Sequence, residues 1–506
     1  RPGARYVIDL PRAVTTACVA LVTETAWVER GDVDVTFAEL SAKGAVKASS
    51  LSELVALLSD PTQGPAAAAL LQQNLPDGPA AVAKVFPTLA GATRNRAMDV
   101  LEAGTCDVRA PLYVGLLFEA DEGVRVRATD RLRRCGPAAS VALATQLQGD
   151  SNLAHQRVLA AELALVDAPG AVRTLGPLLR GEASRRRALR VAFARAAQRE
   201  EASAEVTSLL NDRALPAEAT IDVLRALGAS VPRFREEAWA AIERVSAEDP
   251  SFATRYLLLE PIAQLAQASH PGAFERLRAV LTDASQPRLQ QRAAALVTAE
   301  QRLAPQLVAL TASPEVRVRE EAVRSLESYA SEPVAAALRE RLRRDDWPLV
   351  RRAAAEALGR QAPAPLTDDA LRVALQDDSA EVRVAVVAAL GQRHVAAAVP
   401  ELLELLQDAA QPAPVRAAAA KALGGLCAEK AVDALTGLIK PLTEPTSDAE
   451  AQLVGSAALS ALLDLAPADL TQRLASLRAW AASAPPAVRE EFTRRMTPHP
   501  QCGKRP

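Results

Sequence analysis

The chain is poor in what most large folds or catalytic sites need. Aromatic residues make up only 3% of its 506 residues, with two Met, four His and five Cys. A core built from few aromatics cannot be one wide globular centre; it has to be thin and made of aliphatic side chains. No run of about 18 apolar residues occurs, so no transmembrane helix is expected. The net charge is −2, so no global field draws the chain to nucleic acid or an anionic membrane. The five Cys include no C-x-x-C pair, which argues against a zinc or thioredoxin-type site. The sequence has no H-E-x-x-H, no glycine-rich phosphate loop and no G-x-S-x-G, so no metal, nucleotide or serine-nucleophile site is expected. With 61 Asp and Glu, any two could be named an acid/base pair, so none is informative. No catalytic residue, cofactor or metal is assigned.

Ala, Leu and Arg are abundant. Of 59 basic residues seven are Lys, which leaves 52 Arg; this reads first as a base-composition signature. The chain is organised around Asp346–Leu375, read as helix, turn, helix. Near-copies follow at Glu381–Leu406 and Pro414–Ile439. In each, Val-Arg opens a helix, small residues follow, and a large aliphatic lies seven positions after the Arg: Arg351 with Leu358, Arg383 with Leu390, Arg416 with Leu423.

The same frame finds Gln63–Leu70, Arg94–Leu101, Arg125–Leu132, Arg157–Ala164, Arg187–Ala194, Thr220–Leu227, Arg255–Ile262, Leu289–Leu296, Arg319–Leu326, Gln452–Leu459 and Arg489–Met496. Ten of these fourteen anchors are Arg, at spacings of 30 to 37 residues. A fixed period in this range marks a solenoid, in which each hairpin buries its apolar face only against its neighbours. Ala353–Ala355 and Ala417–Ala420 are small enough for close helix approach. Gly359, Gly391 and Gly424 fall where a left-handed C-cap is favoured.

Asp377, Ser379, Val382, Arg383, Ala388, Ala389, Leu390 and Gly391 follow the pattern Asp-x-x-x-x-Val-Arg-x-x-Ala-x-x-Ala-Leu-Gly, and Asp345 through Gly359 is similar. The chain thereby resembles the HEAT-repeat family, in its short bacterial HEAT-like, phycobilin-lyase type within the armadillo-like superfamily. The resemblance is specific for about 312–440 and rests on spacing elsewhere. It implies an all-α solenoid of about fourteen hairpins, and inner helices lining a concave surface that binds another protein. The His–Glu pairs of the di-iron hydroxylases built on HEAT repeats are missing, because the four His precede Gln156, Pro271, Val395 and Pro500.

Three domains are expected: an N-terminal α/β capping element at 1–50, the solenoid at 51–497 and a loose tail at 498–506. Tyr6–Leu10 and Val33–Phe37 have strand composition; a partly disordered leader is the alternative. Trp239, Phe252 and Tyr256 are expected to fill space that Leu and Ala fill elsewhere.

The anchor arginines could form a row for an acidic partner. The structural reading is preferred: each bonds an Asp or carbonyl of a turn, with Asp345, Asp377 and Asp408 suitably placed. Residues 173–199 hold eight Arg and one Glu, answered by twelve acidic and six basic residues over 200–260. Arg185, Arg186 and Arg190, with Arg187, Arg195 and Arg199, are the better partner-binding candidates, together with Arg352 and Glu356 on the clean repeat. Phosphate binding through this cluster is the weaker reading, since Phe193 alone is aromatic nearby and Lys is absent.

The expected function is a non-catalytic protein-interaction scaffold, as a monomer or within a hetero-complex. The alternative is a lyase-like or enzyme-associated repeat subunit that binds a small molecule. Cys427 reads as a buried small hydrophobe. Cys106 and Cys135 fall in the turns after adjacent anchor helices, so a disulfide between them and a pair of buried free thiols are both open. A bridge would imply an oxidising compartment. The start at Arg1 instead of Met leaves a processed periplasmic, envelope or secreted protein open beside a cytoplasmic one.

Overall fold

A computed structural model describes residues 50–297, 300–443, 448–483 and 502. The proposed N-terminal capping element, the Arg489 anchor and the tail apart from Cys502 lie outside them. The described chain divides into two units, one up to Ser230 and one from Val231. Each consists of helical hairpins, and no strand occurs among the described residues.

Thirteen of the fourteen anchors lie in, or directly before, a helix. In the first unit the anchor helices are Gly64–Gln73, Gly91–Glu102, Glu122–Arg134, Leu153–Val166, Ala183–Ala197 and Ala217–Leu227. In the second they are Phe252–Gln267, Pro287–Leu296, Val316–Ser325, Pro348–Arg360, Ala380–Gln392, Ala413–Gly425 and Ala449–Leu465. Each is named below by its anchor residue. Successive anchor helices of a unit stack on one another, save that Gly91–Glu102 and Glu122–Arg134 meet mainly through ion pairs of Arg127 and Arg131 with Asp99 and Glu102, and the intervening helices form the second layer.

The helix starts follow from local chemistry. Asp60, Asp150, Asp212, Asp249, Asp283, Asp345, Asp377 and Asp408 each accept the backbone N–H two residues on, at 2.8–3.1 Å. This Asx turn reverses the chain and aims it into the anchor helix. Pro348 and Pro287 then occupy first-turn positions, where the missing N–H costs nothing.

Between the second-unit repeats a ladder of ion pairs crosses the turns. Arg319 donates to both Asp345 carboxylate oxygens at 2.8 and 3.0 Å and to the Ser313 carbonyl at 2.9 Å. Arg351 repeats this on Asp377 at 2.7 and 2.9 Å and on the Asp345 carbonyl at 2.9 Å. Arg383 bonds the Asp377 carbonyl at 2.6 Å. The ladder stops there: Asp408 is turned to its own loop, and Arg416 donates to Leu406 O at 3.1 Å. These arginines are consumed by stacking.

Burial pushes the Asp345 and Asp377 carboxyls up, but the arginine beside each and an N–H from the turn outweigh it and hold both below the usual carboxylate range. A carboxyl depressed by folding adds stability above its unfolded pKa and loses it as pH falls through the folded value. Urea melts of the protein should therefore weaken from about pH 5 downward, and Asp377→Asn should flatten that slope while lowering stability at neutral pH. An unchanged slope would remove Asp377 from the account.

The frame is off by one in four repeats. The residue that reaches the turn carbonyls is Gln156, which donates to Asp150 O at 2.5 Å, and not Arg157. Likewise Arg186, and not Arg187, donates to Gly181 O at 2.8 Å, and Gln290, and not Leu289, donates to Leu281 O at 2.9 Å. The buried residues seven positions on are accordingly Leu163, Phe193 and Val297. In the first repeat Leu71 is buried and Leu70 is 36% exposed. What the position requires is a side-chain N–H donor of the right reach, and a glutamine amide supplies it as an arginine does.

The glycines also act differently from the expectation. Gly359, Gly391 and Gly424 lie inside their helices and not at left-handed caps. A Cβ on Gly359 would stand 2.9 Å from Ala389 Cβ, one on Gly391 3.2 Å from Ala422 Cβ, and one on Gly424 2.8 Å from Ala461 Cα. They let consecutive anchor helices nearly touch. The left-handed residues are His394 and Cys427, three positions after Gly391 and Gly424. Phe252 and Tyr256 are exposed instead of filling the core, with ring centroids 5.9 Å apart.

Cys106 and Cys135 are joined as a disulfide, with Cα atoms 5.6 Å apart. The Arg109 guanidinium lies 3.3 and 3.4 Å from the two sulfurs. A 29-residue separation constrains the unfolded chain enough that the Cys106→Ser/Cys135→Ser variant should lose about 2–4 kcal/mol, read from melts with and without reductant. Identical melts, or free thiols at both positions in unreduced peptide maps, would count against the bond. Cys427 is half-buried and bonded to Cys502, 75 residues on, with Cα atoms again 5.6 Å apart. Sequence spacing gave no sign of this pairing.

Candidate functional site

Groups that could carry chemistry are mostly spent on structure. His270 is buried, and its Nδ1 accepts Ala273 N–H at 3.2 Å, capping the helix Pro271–Thr282. His155 Nδ1 lies 3.0 Å from Asp150, whose turn it braces. His499 lies outside the described residues. Among the described residues no group of three or more His, Cys, Asp or Glu could hold a metal ion, and no helix is long and apolar enough to cross a membrane.

What remains is the outward stripe of the anchor helices. Because the anchor side chain points into the turn, residues one, five and nine positions later lie about 100–180° around the helix from it, on the solvent-facing side. On the Arg351 helix these are Arg352, Glu356 and Arg360; on the Arg383 helix they are Val384, Ala388 and Gln392. With Glu381, Ala385, Ala389 and Pro414 they line a groove of about 430 Å³. Its floor is aliphatic and its edge is charged. Arg352 is 3.2 Å from Glu381 and 3.6 Å from Glu356, and Arg360 pairs with Glu327. These pairs satisfy one another beside the floor, on which Ala388 is exposed, Val384 half-buried, and Ala385 and Ala389 buried. Arg352 and Glu356 both stand at this edge; Val384 and Ala388, on its floor, were not among the candidate site residues, although Ala388 belongs to the repeat motif. The anchor-plus-five rule would have found Ala388.

The arginine-rich helix Ala183–Ala197 separates into two sets. Arg186 is taken by Glu218 and by Asp222, the latter at 3.3 Å. Arg185 is half-buried. Arg190 is exposed, as are Arg187 and Arg195. Arg173 and Arg180, just before, pair with Glu205 and Asp212. The acidic stretch that follows thus neutralises one flank of the helix only. Arg352 and Glu356 belong to the second unit and the arginine cluster to the first.

Residues 274–359 and 368–454 match the sequence pattern of HEAT repeats. This stretch of the chain consists of HEAT repeats. The repeats so matched include the Arg351, Arg383 and Arg416 helices and hence the groove. A search of solved structures finds a chain from a structure describing how Kap95p binding induces the switch loops of RanGDP to adopt the GTP-bound conformation. It shares 13% identity at a TM-score of 0.50, over 88% of this chain and 66% of that one. Kap121p matches at 13% identity and a TM-score of 0.44, over 86% and 55% of the two chains. Human deoxyhypusine hydroxylase, solved with glycerol, shares 23% identity at a TM-score of 0.22, over 53% and 96%. No curated protein matches the chain. The chain thus spans about half of Kap121p and just under two thirds of the first protein. With the hairpins described above, the first of these likenesses shows an all-α solenoid.

Proposed function

We propose that this chain is a non-catalytic interaction scaffold that holds another protein across the stripe of its anchor helices. The groove over the Arg351 and Arg383 helices carries this reading. Its aliphatic floor of Val384, Ala385, Ala388 and Ala389 sits inside a charged rim. That is the anatomy of a protein contact, an apolar centre with a polar edge. A small-molecule site instead converges a few polar groups on one point, whereas here the charged groups face one another. The partners described for Kap95p belong to that protein; by analogy of fold they suggest a protein ligand here.

The test places a photo-crosslinking residue at Ala388 and, as a control, at Val373, which is exposed on the intervening helix Pro365–Val373. In extract of the source cells, position 388 should give one protein adduct that Arg352→Glu diminishes, and position 373 should not. Equal adducts at both positions, or a bound small molecule in place of a protein, would sink the scaffold reading.

A further inference from the structure

The Gln156 helix (Leu153–Val166) and the Arg186 helix (Ala183–Ala197) pack side by side in the first unit. On the second of these, Arg187, Arg190, Val191 and Arg195 stand at i, i+3, i+4 and i+8, so they form one stripe. All four are exposed, Val191 at 70%. On the neighbouring helix Arg157 and Val158 are exposed as well, Val158 at 40%. Among the described residues no carboxylate pairs with Arg157, Arg187, Arg190 or Arg195. The sole acid on the two helices, Glu162, is held by Arg133 through bonds of 2.8 Å. Two adjacent helices therefore expose four cations and two large aliphatic residues, and no carboxylate among the described residues pairs with any of the four arginines. Arg186 shows that the pattern is selective, since its own flank is neutralised by Glu218 and Asp222.

We propose that this face binds an acidic peptide segment that also carries aliphatic side chains. Guanidinium groups grip carboxylates with two parallel hydrogen bonds. Val158 and Val191 supply the apolar contact between those grips, and exposed apolar residues within a polar surround are what a peptide ligand covers. A nucleic-acid strand would use the arginines but leave the valines facing its charged backbone. It also finds no exposed aromatic residue to stack on, since Phe193 is buried. The inference rests on the scaffold reading, yet on residues of the first unit, whereas the Arg351 groove lies in the second.

The experiment is a titration of the full chain by fluorescence anisotropy with three labelled probes. The first is a peptide of repeating Glu-Glu-Leu, the second an oligo-glutamate of equal charge, and the third a single-stranded oligonucleotide of equal charge. The Glu-Glu-Leu peptide should bind most tightly and weaken with salt. Arg187→Glu/Arg190→Glu/Arg195→Glu should weaken it by at least about tenfold, and Val191→Ser by about threefold, with thermal melts unchanged because all four positions are exposed. Tighter binding of the oligonucleotide would overturn the proposal in favour of phosphate recognition. Equal binding of the two peptides would remove the valines from the site. Absence of peptide binding, with the Ala388 adduct still formed, would overturn this inference alone; loss of both would overturn the scaffold reading too.

Discussion

Arg351→Ala should destabilise the second unit by about 3–5 kcal/mol. Arg351 is 9% exposed, and its guanidinium satisfies both oxygens of Asp377 and the carbonyls of Asp345 and Asp346. It also pairs with Asp378. Removing it leaves a half-sequestered carboxylate and two carbonyls without their donor, and the loss of a buried charge's partner costs more than the pair itself contributes. Arg351→Lys should recover little, because an ammonium cannot fork across two carboxylate oxygens and still reach the turn. Arg383→Ala is the internal comparison. It gives up only hydrogen bonds to the Asp377 and Asp378 carbonyls, and should cost roughly 1–3 kcal/mol. Urea melts followed by circular dichroism would measure both. Equal losses at the two positions would mean that the carboxylate bridge contributes nothing beyond the turn bonds.

Leu358→Ala should cost about 2–5 kcal/mol. Leu358 has no exposed surface and lies two turns after Arg351 on the face that meets the next hairpin. Truncation leaves a cavity between stacked helices, which the near-contact at Gly359 and Ala389 keeps from collapsing. Because each repeat contacts only its neighbours, the melt should broaden as well as shift, as the repeats on either side uncouple. The first repeat supplies a matched contrast. Leu71→Ala, at a buried site, should cost an amount of the same kind, and Leu70→Ala, at a site 36% exposed, should be close to neutral. If Leu70→Ala proved the costlier of the two, the assignment of the buried stripe in that repeat would be reversed.

Much of the stack was legible because it is local. An Asp that starts the helix, a donor that reaches back to that turn and an apolar residue two turns later all fall within about a dozen residues. Spacing alone therefore located thirteen anchor helices among the described residues. The one-residue slips at Gln156, Arg186 and Gln290 come from what the frame could read. The frame followed spacing and the identity of arginine, settling on Arg157 and on Leu289, while the fold selects for a hydrogen-bond donor, and in two of these three repeats glutamine fills that place. In the third, three consecutive arginines, Arg185–Arg187, offered no way to choose among them by identity.

The partners of the charged residues were not legible. Arg351 bonds Asp377 at 26 residues' distance, Arg186 bonds Glu218 at 32, and Cys427 bonds Cys502 at 75. No short-range pattern encodes which carboxylate a given guanidinium meets once two hairpins stack. For that reason the sequence alone determined the repeat, the helices and most of the buried stripe. Only the tertiary structure decided that the ladder arginines are consumed, that Arg157, Arg187, Arg190 and Arg195 stay open, and that the glycines of the clean repeats serve close approach. Helix and burial are set by neighbours within a turn or two. Whether a charge is free or spent is set by the surface that a neighbouring repeat brings against it.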